Sequence, residues 1–202
     1  MSNLLQTMNN YYSPGKNYRV DSWIEEWTQH TYPTNLKEKL IAYDNKNLLG
    51  HVVLDLGCGP KPLSFNLSEP KRAILVDVVP MIKSLKSEHF EVVSLWSDID
   101  ELLKSDEYKF LDDYGPIDTV IASSIFNYVD WKKLLSEQSK IQAFDGYLFI
   151  ANMTNRGVPR LFSKKRPIST DEIIYELLSC GYELKEKTNM NVVDLIVAQK
   201  VY

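Results

Sequence analysis

Asp55, Gly57, Gly59 and Asp77 are the residues of this chain whose types and spacing come closest to a chemistry. Asp55 closes the apolar run Val52-Val53-Leu54, and Gly57 and Gly59 follow it within four residues. Asp77 closes a second apolar run, Ala73-Ile74-Leu75-Val76, 18 residues past Gly59. Glycine lets a backbone turn sharply and lets a ligand approach without meeting a Cβ. A carboxylate at the end of the next strand accepts from both hydroxyls of a diol, as on a ribose. The pattern therefore points to a nucleoside-bearing ligand held at the ends of two neighbouring strands. A separate basic group, Arg156, Arg160, Lys164, Lys165 and Arg166, suits a carboxylate or phosphate, or simply water, which is where charge runs usually face. Cys58 and Cys180 fall in different expected elements and read as small buried side chains.

The elements needed to position these groups are legible as alternating runs. A buried parallel strand is an unbroken apolar stretch that stops at a tight turn, and 51–56 and 73–77 have that form. Further strands are expected at 90–95, 117–122 and 147–151, with short helices at 61–67 and 80–86 and a longer one at 131–141 capped by Asp130. Pro62 is expected in the first turn of its helix. Asp145-Gly146 reads as a turn into the fifth strand. Ser169 and Glu172 fit a capping box for a helix carrying Ile173, Ile174, Leu177 and Leu178 on one face and stopping near Gly181. Two strands, 182–188 and 192–201, close the chain.

Residues 1–45 precede the first strand and are rich in aromatics, among them Tyr11, Tyr12, Trp23, Trp27 and Tyr43. They read as a helical cover, either a lid over the ligand or plain core packing, with Thr34 as cap of a helix over 35–43. The 202 residues fit one domain, with 1–45 as cover and 46–202 as core. A net charge of −4 argues against nonspecific nucleic-acid binding. Two cysteines and the lack of a signal-peptide pattern fit a cytoplasmic protein, and no apolar run is long enough to span a membrane.

Val53-Leu54-Asp55-Leu56-Gly57-Cys58-Gly59-Pro60 resembles the first motif of class I S-adenosylmethionine-dependent methyltransferases, with Lys61 in place of a third glycine. The resemblance covers residues 46–202. It implies an α/β, Rossmann-like sheet of seven mostly parallel strands with a C-terminal antiparallel hairpin, helices on both faces and a helical N-terminal cover. It also implies S-adenosylmethionine as cofactor, held by Asp55, Gly57, Cys58, Gly59, Asp77, Val78, Asp98, Ile99 and Ser123. Asp98 with Ile99 corresponds to the acid and apolar neighbour that meet adenine; the plainer reading of Asp98 is a helix cap. Asn127 and Tyr128 lie in the loop that meets substrate. Asn10-Tyr11-Tyr12-Ser13 is similar to a tyrosine pair of small-molecule N-methyltransferases.

The expected activity is methyl transfer to an O or N nucleophile of a small metabolite or short peptide, by a monomer or homodimer. Tyr12, Tyr128 and His30, in falling order, are the candidates for a general base; Tyr11 and Arg156 are further substrate or lid residues, and no metal is assigned. Two alternatives stand beside it. One is a cofactor binder without transfer; the other is a nucleotide-binding oxidoreductase, whose third motif glycine would fall where Pro62 stands.

Overall fold

The computed structural model describes residues 31–68, 70–78, 80–104, 111–153, 168–190 and 193–202. In chain order the elements are α1 (Thr31–Asp44), β1 (Val52–Leu56), β2 (Arg72–Asp77), β3 (Glu91–Trp96), α2 (Ile99–Leu102), β4 (Ile117–Ser123), α3 (Trp131–Ile141), β5 (Gln142–Met153), α4 (Thr170–Ser179), β6 (Tyr182–Met190) and β7 (Val193–Lys200). The strands form one sheet in the order β3-β2-β1-β4-β5-β7-β6. Strands β1 to β5 run parallel, and β7 is antiparallel to both β5 and β6. This is the Rossmann-like sheet with a closing hairpin that the sequence leads one to expect. The order reverses between β1 and β4, so a crevice opens beyond their carboxyl ends.

Side-chain alternation divides the core between the two faces of the sheet. Leu54, Leu56, Ile74, Val76, Val120 and Ala122 pack with Leu134, Leu135, Ile173 and Leu177, on the side of α3 and α4. Val53, Ile121, Phe149 and Val197 pack with Leu36, Leu40 and Tyr43 of α1. The described part of the N-terminal cover is thus core packing. Lys39 and the Tyr43 hydroxyl both donate to the Glu186 carboxylate, which ties α1 to the edge strand β6.

Local chemistry sets several boundaries. Asp130 caps α3 by accepting from the Lys133 N–H, and Ser169 with Glu172 forms the capping box of α4. Ile173 and Leu177 are buried as expected, but Leu178 is 54% exposed and leaves that face. Helix α1 is already under way at Thr31, so Thr34 is not its cap; Pro33 falls in the first turn, where a missing N–H costs no hydrogen bond. The two short helices after β1 and β2 are 3-10 turns, Leu63–Asn66 and Pro80–Ser84, and Pro62 precedes the first of them as its N-cap. Asp145-Gly146 is not a turn ahead of a strand. It is a bulge inside β5, between the partner pairs Ile117↔Gln142 and Thr119↔Tyr147. A Cβ on Gly146 would lie 2.6 Å from the Asp118 carbonyl oxygen, so only glycine lets the bulge close.

Gly50 generates a test of the entry to β1. Its φ is +68°, and a Cβ there would sit 2.5 Å from the Asp118 side chain, whose carboxylate accepts from the His51 and Val52 N–H groups. Gly50→Ala is expected to cost about 1–2 kcal/mol for the left-handed backbone, with more from displacing Asp118. Urea unfolding measures it, and an unchanged midpoint would contradict this account.

Candidate functional site

Beyond the carboxyl ends of β1, β2 and β4, the chain brings together Asp55, Gly57, Cys58, Gly59, Asp77 and Ser123 of its expected site residues. Alternation puts Asp55, Asp77 and Ser123 on the α1 face of the sheet, the face of Val53, Ala73 and Ile121. The turn after β1 is pinned to the end of β2. The Gly57 N–H donates to the Val76 carbonyl at 2.8 Å, and the Gly59 N–H donates to Asp77 Oδ2 at 2.8 Å. Gly57 and Gly59 have φ of +65° and +60°, the left-handed region that side chains with a Cβ avoid. A Cβ on Gly57 would lie 3.1 Å from Ile125 Cδ1, so the loop after β4 closes against this turn. Ser124, at φ +57°, starts that loop and donates its N–H to the Ala151 carbonyl.

Burial decides the electrostatics here. Asp55 is buried, accepts from the Ser64 N–H at 3.0 Å through Oδ2, and leaves Oδ1 without a partner. Burial pushes its carboxyl up to about 6; Ser64 opposes the rise and the neighbouring Asp77 charge adds to it. Burial, with Asp55 and Asp77 beside it, also pushes the Cys58 thiol well up, so Cys58 is a packing residue and no thiolate nucleophile. The Ser123 hydroxyl is buried and unpartnered as well. Orphaned buried polar atoms of this kind mark a place that a polar ligand or a water completes.

The remaining expected residues divide. Asp98 caps α2 by accepting from the Asp100 N–H at 2.9 Å, and Ile99 is buried behind it. The plainer reading of Asp98 is therefore observed, which leaves any contact with a ligand an additional role. The half-buried Val78 accepts from the Trp96 indole N–H at 2.8 Å through its carbonyl. Asn127 is buried, donates through Nδ2 to the Met153 carbonyl at 3.5 Å and has Oδ1 unpartnered. Burial raises the Tyr128 phenol, which keeps it protonated and so available as a hydrogen-bond donor. Tyr11, Tyr12, His30 and Arg156 lie outside the described residues. Among the described residues no group of three His, Cys, Asp or Glu is placed to hold a metal, and no helix is long and apolar enough to cross a membrane.

Sequence reading misses several supporting groups. Ser64 steadies Asp55 from a 3-10 turn, and Asp100 Oδ1 accepts from the Asp130 N–H at 2.7 Å, tying α2 to the start of α3. Asn152 donates to the Ile168 carbonyl and to Thr170, whose hydroxyl donates to Asp194. Only the capping pattern around Ser169 hinted at any of these contacts.

The fold matches that of solved class I S-adenosylmethionine-dependent methyltransferases. The chain is similar to 1,6-didemethyltoxoflavin-N1-methyltransferase of Burkholderia thailandensis, solved with 1,6-didemethyltoxoflavin and S-adenosylhomocysteine, with a TM-score of 0.71, 16% identity, and 98% of this chain and 88% of that one covered. It is similar to the N-methyltransferase NodS of Bradyrhizobium japonicum in complex with S-adenosylhomocysteine, with a TM-score of 0.68, 14% identity and 98% and 99% covered. It is also similar to magnesium protoporphyrin IX methyltransferase of Synechocystis with bound S-adenosylmethionine, with a TM-score of 0.60, 17% identity and 98% and 92% covered. No protein-family model and no curated sequence matches the chain.

The Asp55 environment predicts a pH dependence. Its folded value, about 6, lies above the ordinary 3.8, so the native state binds the proton more tightly than the unfolded chain. The stabilisation is fully present below about pH 4 and is lost as the pH rises through about 6. Relative to Asp55→Asn, which keeps an acceptor for Ser64, the wild type is expected to lose about 3 kcal/mol between pH 4 and 7. Urea unfolding of both proteins across that range measures it; parallel curves would place Asp55 in a wetter setting than this.

Proposed function

We propose that the protein transfers a methyl group from S-adenosylmethionine to an O or N nucleophile of a small molecule or short peptide. The observation that carries this reading is the Gly57-Cys58-Gly59 turn, bonded through Gly59 to Asp77 at the switch in strand order. The residues fit the cofactor. Gly57 and Gly59 carry no Cβ, Asp77 ends β2 where a ribose diol would be accepted, and Asp55 Oδ1 and Ser123 Oγ are buried polar atoms that lack a partner. Gly57, Cys58 and Gly59 would cradle the cofactor; Val78, Asp98 and Ile99 would border its base. When bound, S-adenosylmethionine supplies an electrophilic methyl, so the chain's own part is to bind, orient the nucleophile and exclude water. Asn127 and Tyr128 stand on the loop that would meet that nucleophile, with Tyr11, Tyr12 and Arg156 as substrate or lid residues and Tyr12 and Tyr128 as catalytic candidates. A cytoplasmic monomer or homodimer, without nucleic-acid or membrane partners, completes the reading.

Calorimetric titration with S-adenosylmethionine and S-adenosylhomocysteine tests it, together with detection of the demethylated product in the presence of a cell extract. Binding without product would mark a cofactor binder that does not transfer. Asp77→Ala is expected to weaken binding by about 1.5–3 kcal/mol, through loss of a charge-assisted bond. Gly59→Val is expected to abolish it, because valine is strained at positive φ. Unchanged affinity in both variants, with the fold verified by circular dichroism, would remove the turn from the site.

A further inference from the structure

Trp96 closes β3 directly beside Asp77. The two residues are partners in the parallel register, and the Ser97 N–H donates to the Asp77 carbonyl at 3.1 Å. Alternation along β3 puts Trp96 on the face of Ala73, Leu75 and Ile82, which is the face of Asp55 and Asp77.

The indole is held at its edge and on its face. Its N–H donates to the Val78 carbonyl at 2.8 Å, and the Lys83 ammonium lies 3.8 Å from the ring centre. The turn that carries Lys83, Pro80–Ser84, is tied to β3 in its own right, because the Ser94 hydroxyl donates to the Ile82 carbonyl at 2.8 Å. That connection is a 3-10 turn of five residues that starts two residues past Val78, so Val78 lies outside it. Strand β3 supplies the hold instead. The successive carbonyls of Asp77 and Val78 are taken by the Ser97 N–H and the Trp96 indole, while the Gly59 N–H takes the Asp77 carboxylate. The segment that bears the acid for a ribose and the side chain for a base is therefore clamped between the turn after β1 and the end of β3.

We propose that Trp96 is a positioning residue for the adenosine half of the cofactor, acting through its bond to the Val78 carbonyl. The inference rests on the methyl-transfer reading and adds to it a residue that acts through another. The indole N–H fixes the Val78 backbone, which places the Val78 side chain against the base and steadies Asp77 for the ribose. Trp96→Phe keeps an aromatic ring in place but leaves the Val78 carbonyl without this donor.

Calorimetric titration of the wild type and Trp96→Phe tests the role. The ligands are S-adenosylhomocysteine and methylthioadenosine, which carries the adenosine half without the amino acid. Both are expected to lose about tenfold in affinity, by the same factor. A purely structural role predicts a lower urea midpoint with unchanged affinities, or a larger loss for S-adenosylhomocysteine as its amino-acid contacts loosen too; either result overturns the proposal. A second measurement does without that variant. In protein labelled with fluorotryptophan, the resonance that moves in Lys83→Met is that of Trp96, the ring beneath the ammonium. Saturating methylthioadenosine is expected to move the same resonance in the wild type, and a stationary one overturns the proposal. Equal binding by wild type and Trp96→Phe removes the positioning role alone. Failure of the wild type to bind either ligand removes the methyl-transfer reading and this one with it.

Discussion

The hydrogen bond from the Gly59 N–H to the Asp77 carboxylate is the contact on which the site depends. It joins the turn after β1 to the end of β2, and the turn can make it because Gly57 and Gly59 both adopt positive φ. With Gly57 bonded to Val76 as well, the loop is fixed at two points on one neighbouring strand. A carboxylate holding a backbone N–H is itself held, so Asp77 is oriented before any ligand arrives. It still has capacity to accept, since a carboxylate offers about four lone-pair sites.

The loop after β4 couples the two faces of the sheet. Ile125 closes on Gly57 from that loop, Asn127 reaches the end of β5, and the Asp130 N–H meets Asp100 at the far end. The acids near the glycine turn lie on the α1 face, while a groove walled by Trp131, Ile168 and Tyr175 lies with α3 and α4 on the other.

Carboxylates predominate near the strand ends and in the groove, where Lys132 is a lining cation. Asp55, Asp77 and Asp98 are buried near the strand ends, and the groove adds three further carboxylates. Burial raises Asp55 enough for it to titrate near 6, which reflects a dry setting more than a nearby charge. A crevice of this kind favours positively charged ligands, a property in keeping with a sulfonium cofactor.

The order of strands and helices was legible from residues 46 onward, because buried strands are written as apolar runs and turns as Gly, Pro and Asp. The Gly57–Gly59 turn, Asp77 and the caps at Asp130 and Ser169 were legible for the same reason: each depends on neighbours within a few residues or on one βαβ unit. The Thr34 cap and the Asp145-Gly146 turn were misread, since local propensity there yields to tertiary packing and to the close approach of the Asp118 backbone. Asp98 admitted two readings in sequence, and only the positions of its neighbours established the cap. Ser64 beneath Asp55, Asp100 against Asp130, and the groove between α3 and α4 had no sequence signal. They join residues distant along the chain, and such pairings exist only once the sheet has set its strand order and brought the helix starts to one edge.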